Sequence, residues 1–234
     1  MEKATGRRVN IFVDSGDLST WAKRDQAKLE HYIAYIKENL RYIEAYLNMD
    51  VIGDPIATWK NQEAMEKAGL KPIPVYHLGE PKEFLDRIMK GYDYFAVRVS
   101  TLKNKLEQIT ALDWLFEIVC PDSNKNLPTH KVHGVDIDSI EIMRRYPWIG
   151  LSSGLWAEFS RRGAVLVPKF KEGKWVYNED PWIVIVDPKN PDPPEGGQRL
   201  ESFSPEDQEI ILRYFEEKGI DILKRSGSKG AARK

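Results

Sequence analysis

"AYLNMDVIGDPIATWKNQEAMEKAGLKPIPVYH", Ala45 to His77, contains one complete strand, helix and strand cycle, and its reading decides the fold class. An apolar run from Ala45 ends in the polar pair Asn48 and Asp50. Asp54 and Pro55 then supply an N-cap and a first-turn proline, and Gly69 closes the helix they start. "KPIPVYH", Lys71 to His77, begins the next strand.

The same cycle recurs on both sides. Upstream, "VNIFVDSG" (Val9 to Gly16) reads as strand one, and Leu29, Tyr32, Ile33, Ile36, Leu40 and Ile43 recur at the three-and-four spacing of an amphipathic helix. Downstream come a helix over 81–90, "YDYFAVRVS" as strand four, a helix from Leu102 to Val119, and "HKVHGVD" as strand five. A short helix near Ile140 to Arg144 precedes "WIGLSS" as strand six, and "GAVLVP" is strand seven. "PWIVIVDP" follows the charged turn "KFKEGKW" as an eighth strand or an excursion, and Ser204-Pro205-Glu206 opens a final helix ending near Gly219. About eight alternations predict an α/β fold, a (β/α)8 TIM-type barrel in a single compact domain over 1–223, with a doubly wound sheet as the alternative.

Composition narrows the class. With 234 residues, 41% hydrophobic and 30% charged, the chain can bury a core, and no apolar run reaches the roughly 20 residues of a spanning helix. The start lacks a signal-peptide core, so a cytoplasmic protein without membrane contact is expected. The single Cys120 excludes an intramolecular disulfide and a multi-cysteine zinc site, and the four histidines form no metal motif. Neither a metal nor a cofactor is predicted. Net charge is −1, but residues 224–234 place Lys224, Arg225, Lys229 and Arg233 among Gly, Ser and Ala. Such a segment cannot build a core and reads as a flexible basic tail, solubilising or in contact with nucleic-acid phosphates.

Barrel active sites lie at the C-terminal ends of the strands. That rule selects Asp14, Ser15 and Gly16; Asn48 and Asp50; His77; Arg98; His133 and Asp136; and Ser152 and Ser153. Arg98 ends an apolar strand, where a guanidinium is costly unless it meets an anion, either Asp50 or Asp136 within the chain or a substrate phosphate. His77 and His133 read equally as pocket or core histidines. Asp138 reads as an N-cap. Trp21, Trp148 and Trp156 could stack on a base or fill core.

Several of these stretches together resemble a family. "DSGDLSTW", the long block from Asn48 to Glu80, "YDYFAV", "KVHGVDIDS" and "RYPWIGLSSGLW" are similar, in order from about Val9 to Pro168, to the short phage relatives of tRNA-guanine transglycosylase, which insert 7-deazaguanine bases into DNA. The resemblance implies a barrel that flips a base out of the polymer, cleaves its glycosidic bond through a carboxylate-bound intermediate and installs another base. It assigns proton handling to Asp14, reading of the base edge to Asp50 and a pocket-lining place to His77. Two positions depart from the pattern. Arg98-Val99 stands where the family has a Gly-Gly pair, and Ser152 stands where it has the nucleophilic aspartate. Asp136 is the candidate catalytic substitute, alongside Asp14 and Ser152. Ser15, Gly16, Asn48, Asp50, His77, Arg98, His133 and Ser153 are the candidate substrate contacts.

The expectation is therefore a transglycosylase-like enzyme that acts on a base in DNA, by base exchange or by altered chemistry. The missing cysteine-rich zinc module makes tRNA the less favoured polymer. The alternatives are transformation of a substituent on a hypermodified phage base, a non-catalytic binder of nucleic acid or modified nucleoside, and an enzyme acting on free nucleosides or nucleotides. The predicted small-molecule partner is a base or modified nucleotide, and the sequence leaves the oligomeric state open.

Overall fold

The computed structural model describes residues 10–16, 29–121, 127–186, 194 and 196–220. In place of one domain over 1–223, the chain divides into two compact units, 1–153 and 154–234. No helix among the described residues is long and apolar enough to cross a membrane.

The first unit alternates strand and helix: β1 (Ile11–Val13), α1 (Leu29–Asn39), β2 (Ile43–Tyr46), α2 (Pro55–Lys67), β3 (Val75–His77), α3 (Lys82–Gly91), β4 (Tyr94–Arg98), α4 (Lys105–Val119), β5 (Lys131–Val135), α5 (Ile140–Arg145) and β6 (Gly150–Leu151). The starts have local causes. Asp54 caps α2 by accepting from the Ala57 N–H, with Pro55 in the first turn, and Asn104 caps α4 through the N–H groups of Leu106 and Glu107. Two boundaries differ from the sequence reading. The α1 stripe stops at Asn39, and Ile43 begins β2. Ser139, not Asp138, caps α5.

All strand pairs of this unit are parallel and follow chain order: β1 with β2, β2 with β3 through the Leu47–Ile73 bridge, then β3, β4, β5 and β6. Both faces are buried, as parallel sheets require. Along β4, Phe95 and Val97 pack under the helices with Leu85, Ile88, Leu112 and Leu115. Tyr94 and Ala96 face the other way, into a cluster with Phe12, Ala45, Leu47, Ile73, Val75 and Val135.

This second face is concave. Four strand spacings of about 4.8 Å would set β1 roughly 19 Å from β5 in a flat sheet. Instead, the Phe12 ring of β1 stacks on the His133 ring of β5 with centroids 4.3 Å apart. The sheet therefore curls until residues four strands apart touch across its hollow. The first unit is thus mixed α/β, with parallel strands in chain order.

The second unit has a different topology. It comprises α6 (Leu155–Arg161), β7 (Ala164–Val167), the hairpin β8 (Lys169–Lys171) and β9 (Lys174–Val176), β10 (Trp182–Ile185), β11 (Gln198–Arg199) and α7 (Pro205–Glu217). Strand seven pairs antiparallel with β10, the expected eighth strand, so these two do not continue a parallel wall. The reason lies between them. A parallel return needs a crossover of a dozen or more residues, and here "KFKEGKW" folds as a hairpin around Gly173, whose positive φ suits the tight turn. The unit's core is Val167, Val184, Ile211 and Phe215.

Candidate functional site

Five side chains from five parallel strand ends meet at Arg98, the last residue of β4. Its guanidinium is buried and donates in three directions. Nε reaches Asp50 Oδ2 at 2.7 Å and Nη2 reaches Asp50 Oδ1 at 3.2 Å. Nη1 reaches Asp136 Oδ2 at 2.7 Å, and Nη2 also reaches Asp14 Oδ1 at 3.0 Å. His77, at the end of β3, joins through Nε2 to Asp50 Oδ2 at 2.7 Å and through Nδ1 to Glu80 Oε1 at 2.5 Å. Ser100 Oγ donates to Asp136 Oδ2 at 2.7 Å, and Ser15 Oγ donates to Asp50 Oδ1 at 3.3 Å.

Exposure grades the three aspartates. The Asp50 side chain is 2% exposed, whereas Asp14 is 27% and Asp136 is 39% exposed. Asp50 is thus the buried anchor, and Asp14 and Asp136 face the open side.

Local backbone places each group. Gly16 has a φ of 79°, and its N–H donates to Asp14 Oδ1, a turn that holds the carboxylate over the end of β1. Asp136 has a φ of 58°, a left-handed conformation that Asp tolerates better than most side chains. The ladder steps over it: the Ser152 N–H donates to the Gly134 carbonyl, and the Ile137 N–H donates to the Ser152 carbonyl. Such a bulge re-aims a side chain, here toward Arg98.

Protonation follows the contacts. Burial alone would raise the Asp50 carboxyl, but the His77 hydrogen bond and the Arg98 charge outweigh it and hold Asp50 below the usual range. At Asp14, burial prevails over the attraction of Arg98, the nearby Asp50 charge adds to it, and the carboxyl is pushed up. Burial works against the His77 cation, yet the hydrogen bonds it donates to Asp50 and Glu80 raise it to about 9, so it is charged at neutral pH. The carboxylates overcome the burial of Arg98 and raise it above its ordinary value.

A second pair stands on the same sheet face, one strand on. His133 Nε2 lies 2.8 Å from Ser152 Oγ, and His133 Nδ1 lies 3.3 Å from Tyr94 Oη. Phe12 covers one face of the ring. Gly150 on β6 packs so closely that a Cβ there would sit 2.9 Å from Nδ1. Burial pushes His133 down to about 4, leaving it neutral at pH 7.

The remaining candidates fall elsewhere. Asn48 is buried, and among the described residues its Oδ1 has no hydrogen-bond partner. Ser153 Oγ donates to Asp138 Oδ1 at 2.8 Å, a contact apart from the Arg98 network, and this pairing is also what Asp138 does instead of capping α5. Trp148 is a core residue, edge-on to Phe116 and Tyr146, and Trp156 is exposed. Lys224, Arg225, Lys229, Arg233 and Trp21 lie outside the described residues. Glu80, Ser100 and Tyr94 belong to the two networks without having been singled out by sequence. Glu80 and Ser100 sit just past strand ends, where inspection of the next few residues would have found them.

Comparison with known protein families, with curated proteins and with solved structures finds no match.

Proposed function

We propose that this chain is a nucleobase-modifying enzyme of the transglycosylase type that acts on DNA, holding a flipped base at the C-terminal ends of the parallel strands of the first unit. The observation that carries this reading is the convergence of Asp14, Asp50 and Asp136, from three separate strands, on Arg98. Counted formally, four carboxylates with Glu80 face two cations, Arg98 and His77. The network therefore presents hydrogen-bond acceptors. A ligand suited to it offers N–H donors, as does the amidine edge of a guanine-class base, which matches a carboxylate with two parallel hydrogen bonds. Asp14, with its raised carboxyl on the open side, is the group to move a proton on the departing or incoming base. Asp50, fixed by Arg98 and His77, orients the base.

The commitment of Arg98 to three carboxylates weighs against the version in which it holds a phosphate leaving group. It also favours a second reading: a binder that recognises a base without exchanging it, since the guanidinium restrains Asp14 and Ser152 stands where the resemblance implies a carboxylate.

One assay tests both. The protein is incubated with DNA and a 7-deazaguanine base, and the DNA is digested to nucleosides for mass spectrometry. Incorporated 7-deaza-2′-deoxyguanosine, or loss of a DNA base, supports the enzyme. Saturable binding of base or DNA with unchanged nucleoside composition supports the binder. Unchanged nucleosides together with no saturable binding overturn the proposal.

A further inference from the structure

One pair at the strand ends takes no part in the acidic network. Ser152 Oγ and His133 Nε2 are 2.8 Å apart, within hydrogen-bond reach. Tyr94 Oη lies 3.3 Å from Nδ1, so a proton carried on Nδ1 has an acceptor there, and in that tautomer Nε2 turns its lone pair to the serine hydroxyl, as a general base needs. Burial pushes the Tyr94 phenol up, so it stays protonated at neutral pH and its oxygen remains an acceptor. The imidazole cannot swing away, because Phe12 stacks on it and the Cβ-free Gly150 lets β6 close against it. Ser152 is half-buried where His133 is buried, so the serine is the more exposed residue of the pair.

A nucleophile, a base within reach and a third group orienting the base make the arrangement of an activated serine. We propose that Ser152 is a nucleophile for carboxylic esters, with His133 as its general base and Tyr94 as a positioning residue. In the first step Ser152 Oγ bonds to the carbonyl carbon, and its proton passes to His133 Nε2. The carbon–oxygen bond to the alcohol then breaks, and His133 returns the proton to that alcohol. Water repeats the sequence on the acyl-serine and releases the acid. This activity goes beyond the nucleobase reading and does not depend on it.

The test uses the full-length protein and a fluorophosphonate probe. Ser152 Oγ bonds to phosphorus, fluoride leaves, and His133 takes the serine proton. The expected result is one label per chain on the Ser152 peptide, none in Ser152→Ala, and labelling slowed by about 100-fold or more in His133→Gln, the usual weight of a positioned base. Tyr94→Phe should move the pH profile while leaving Ser152 labelled. In the wild type, the rate should be flat from pH 6 to 8 and fall as the pH approaches the His133 value of about 4. An unlabelled Ser152 in folded protein, or equal rates with and without His133, overturns the proposal. Should His133→Gln not fold, the wild-type profile decides, because a rate that climbs steadily with hydroxide from pH 6 to 9 marks an unactivated serine.

Discussion

Replacing Arg98 by Met keeps a long unbranched stem and removes every donor from the centre of the network. The side chains of Arg98 and Asp50 are each 2% exposed, so this is a buried ion pair, and it is further tied to Asp14 and Asp136. Breaking a buried pair from one side costs about 3–5 kcal/mol, because the partner charge stays behind without compensation. For a protein of this size each kcal/mol lowers Tm by about 2–4 °C, so Arg98→Met should melt roughly 6–20 °C below the wild type at pH 7. The difference should shrink in acid. Asp50 has a depressed folded-state pKa, so its contribution is present above its unfolded value near 3.8 and is lost as the pH falls through the folded value. Calorimetric melting of both proteins at pH 7 and in steps below pH 3.8 measures this. A loss below about 1 kcal/mol at pH 7, the scale of an exposed pair, would refute the claim that the network is a buried, coupled unit.

Other consequences follow from the same contacts. His77 is raised from 6.5 to about 9, so its contribution is complete below pH 6.5 and disappears as the pH rises through 9. That shift corresponds to about 3 kcal/mol, and urea titrations between pH 6 and 10 should show the decline in the wild type but not in His77→Gln. His133 runs the other way: lowered to about 4, it contributes fully above pH 6.5 and loses its contribution as the pH falls toward 4, which NMR titration of its imidazole protons checks directly. Gly150→Ala places a Cβ 2.9 Å from His133 Nδ1 and should cost about 1–3 kcal/mol by overpacking, read as a lower Tm together with a shifted His133 resonance.

Much of the first unit was legible in the sequence because its information is local. The Asp54-Pro55 start and the Asn104 cap each fix an element from within a few residues. Polar residues ending apolar runs marked Asp14, Asp50, His77, Arg98 and Asp136, and all five meet. What stayed hidden depends on register. His133 and Ser152 lie 19 positions apart in the chain and touch only because Gly150 pairs with His133 across β5 and β6. The direction of β10 against β7 was equally invisible, since an apolar run such as "WIVI" carries no mark of the neighbour it will choose. Asp136 falls between these cases. Its place at a strand end could be read, but the left-handed turn that aims it at Arg98 could not.

The central claim is that carboxylates gathered at the strand ends receive the N–H edge of a base. Isothermal titration of a 7-deazaguanine base into the protein at pH 7 tests it directly, repeated with Asp14→Asn and Asp136→Asn. One saturable site per chain, weakened at least about tenfold by either substitution, as expected when a hydrogen bond to a charged group is lost, is the predicted result. Binding that ignores both substitutions, or no saturable binding at all, would contradict the account.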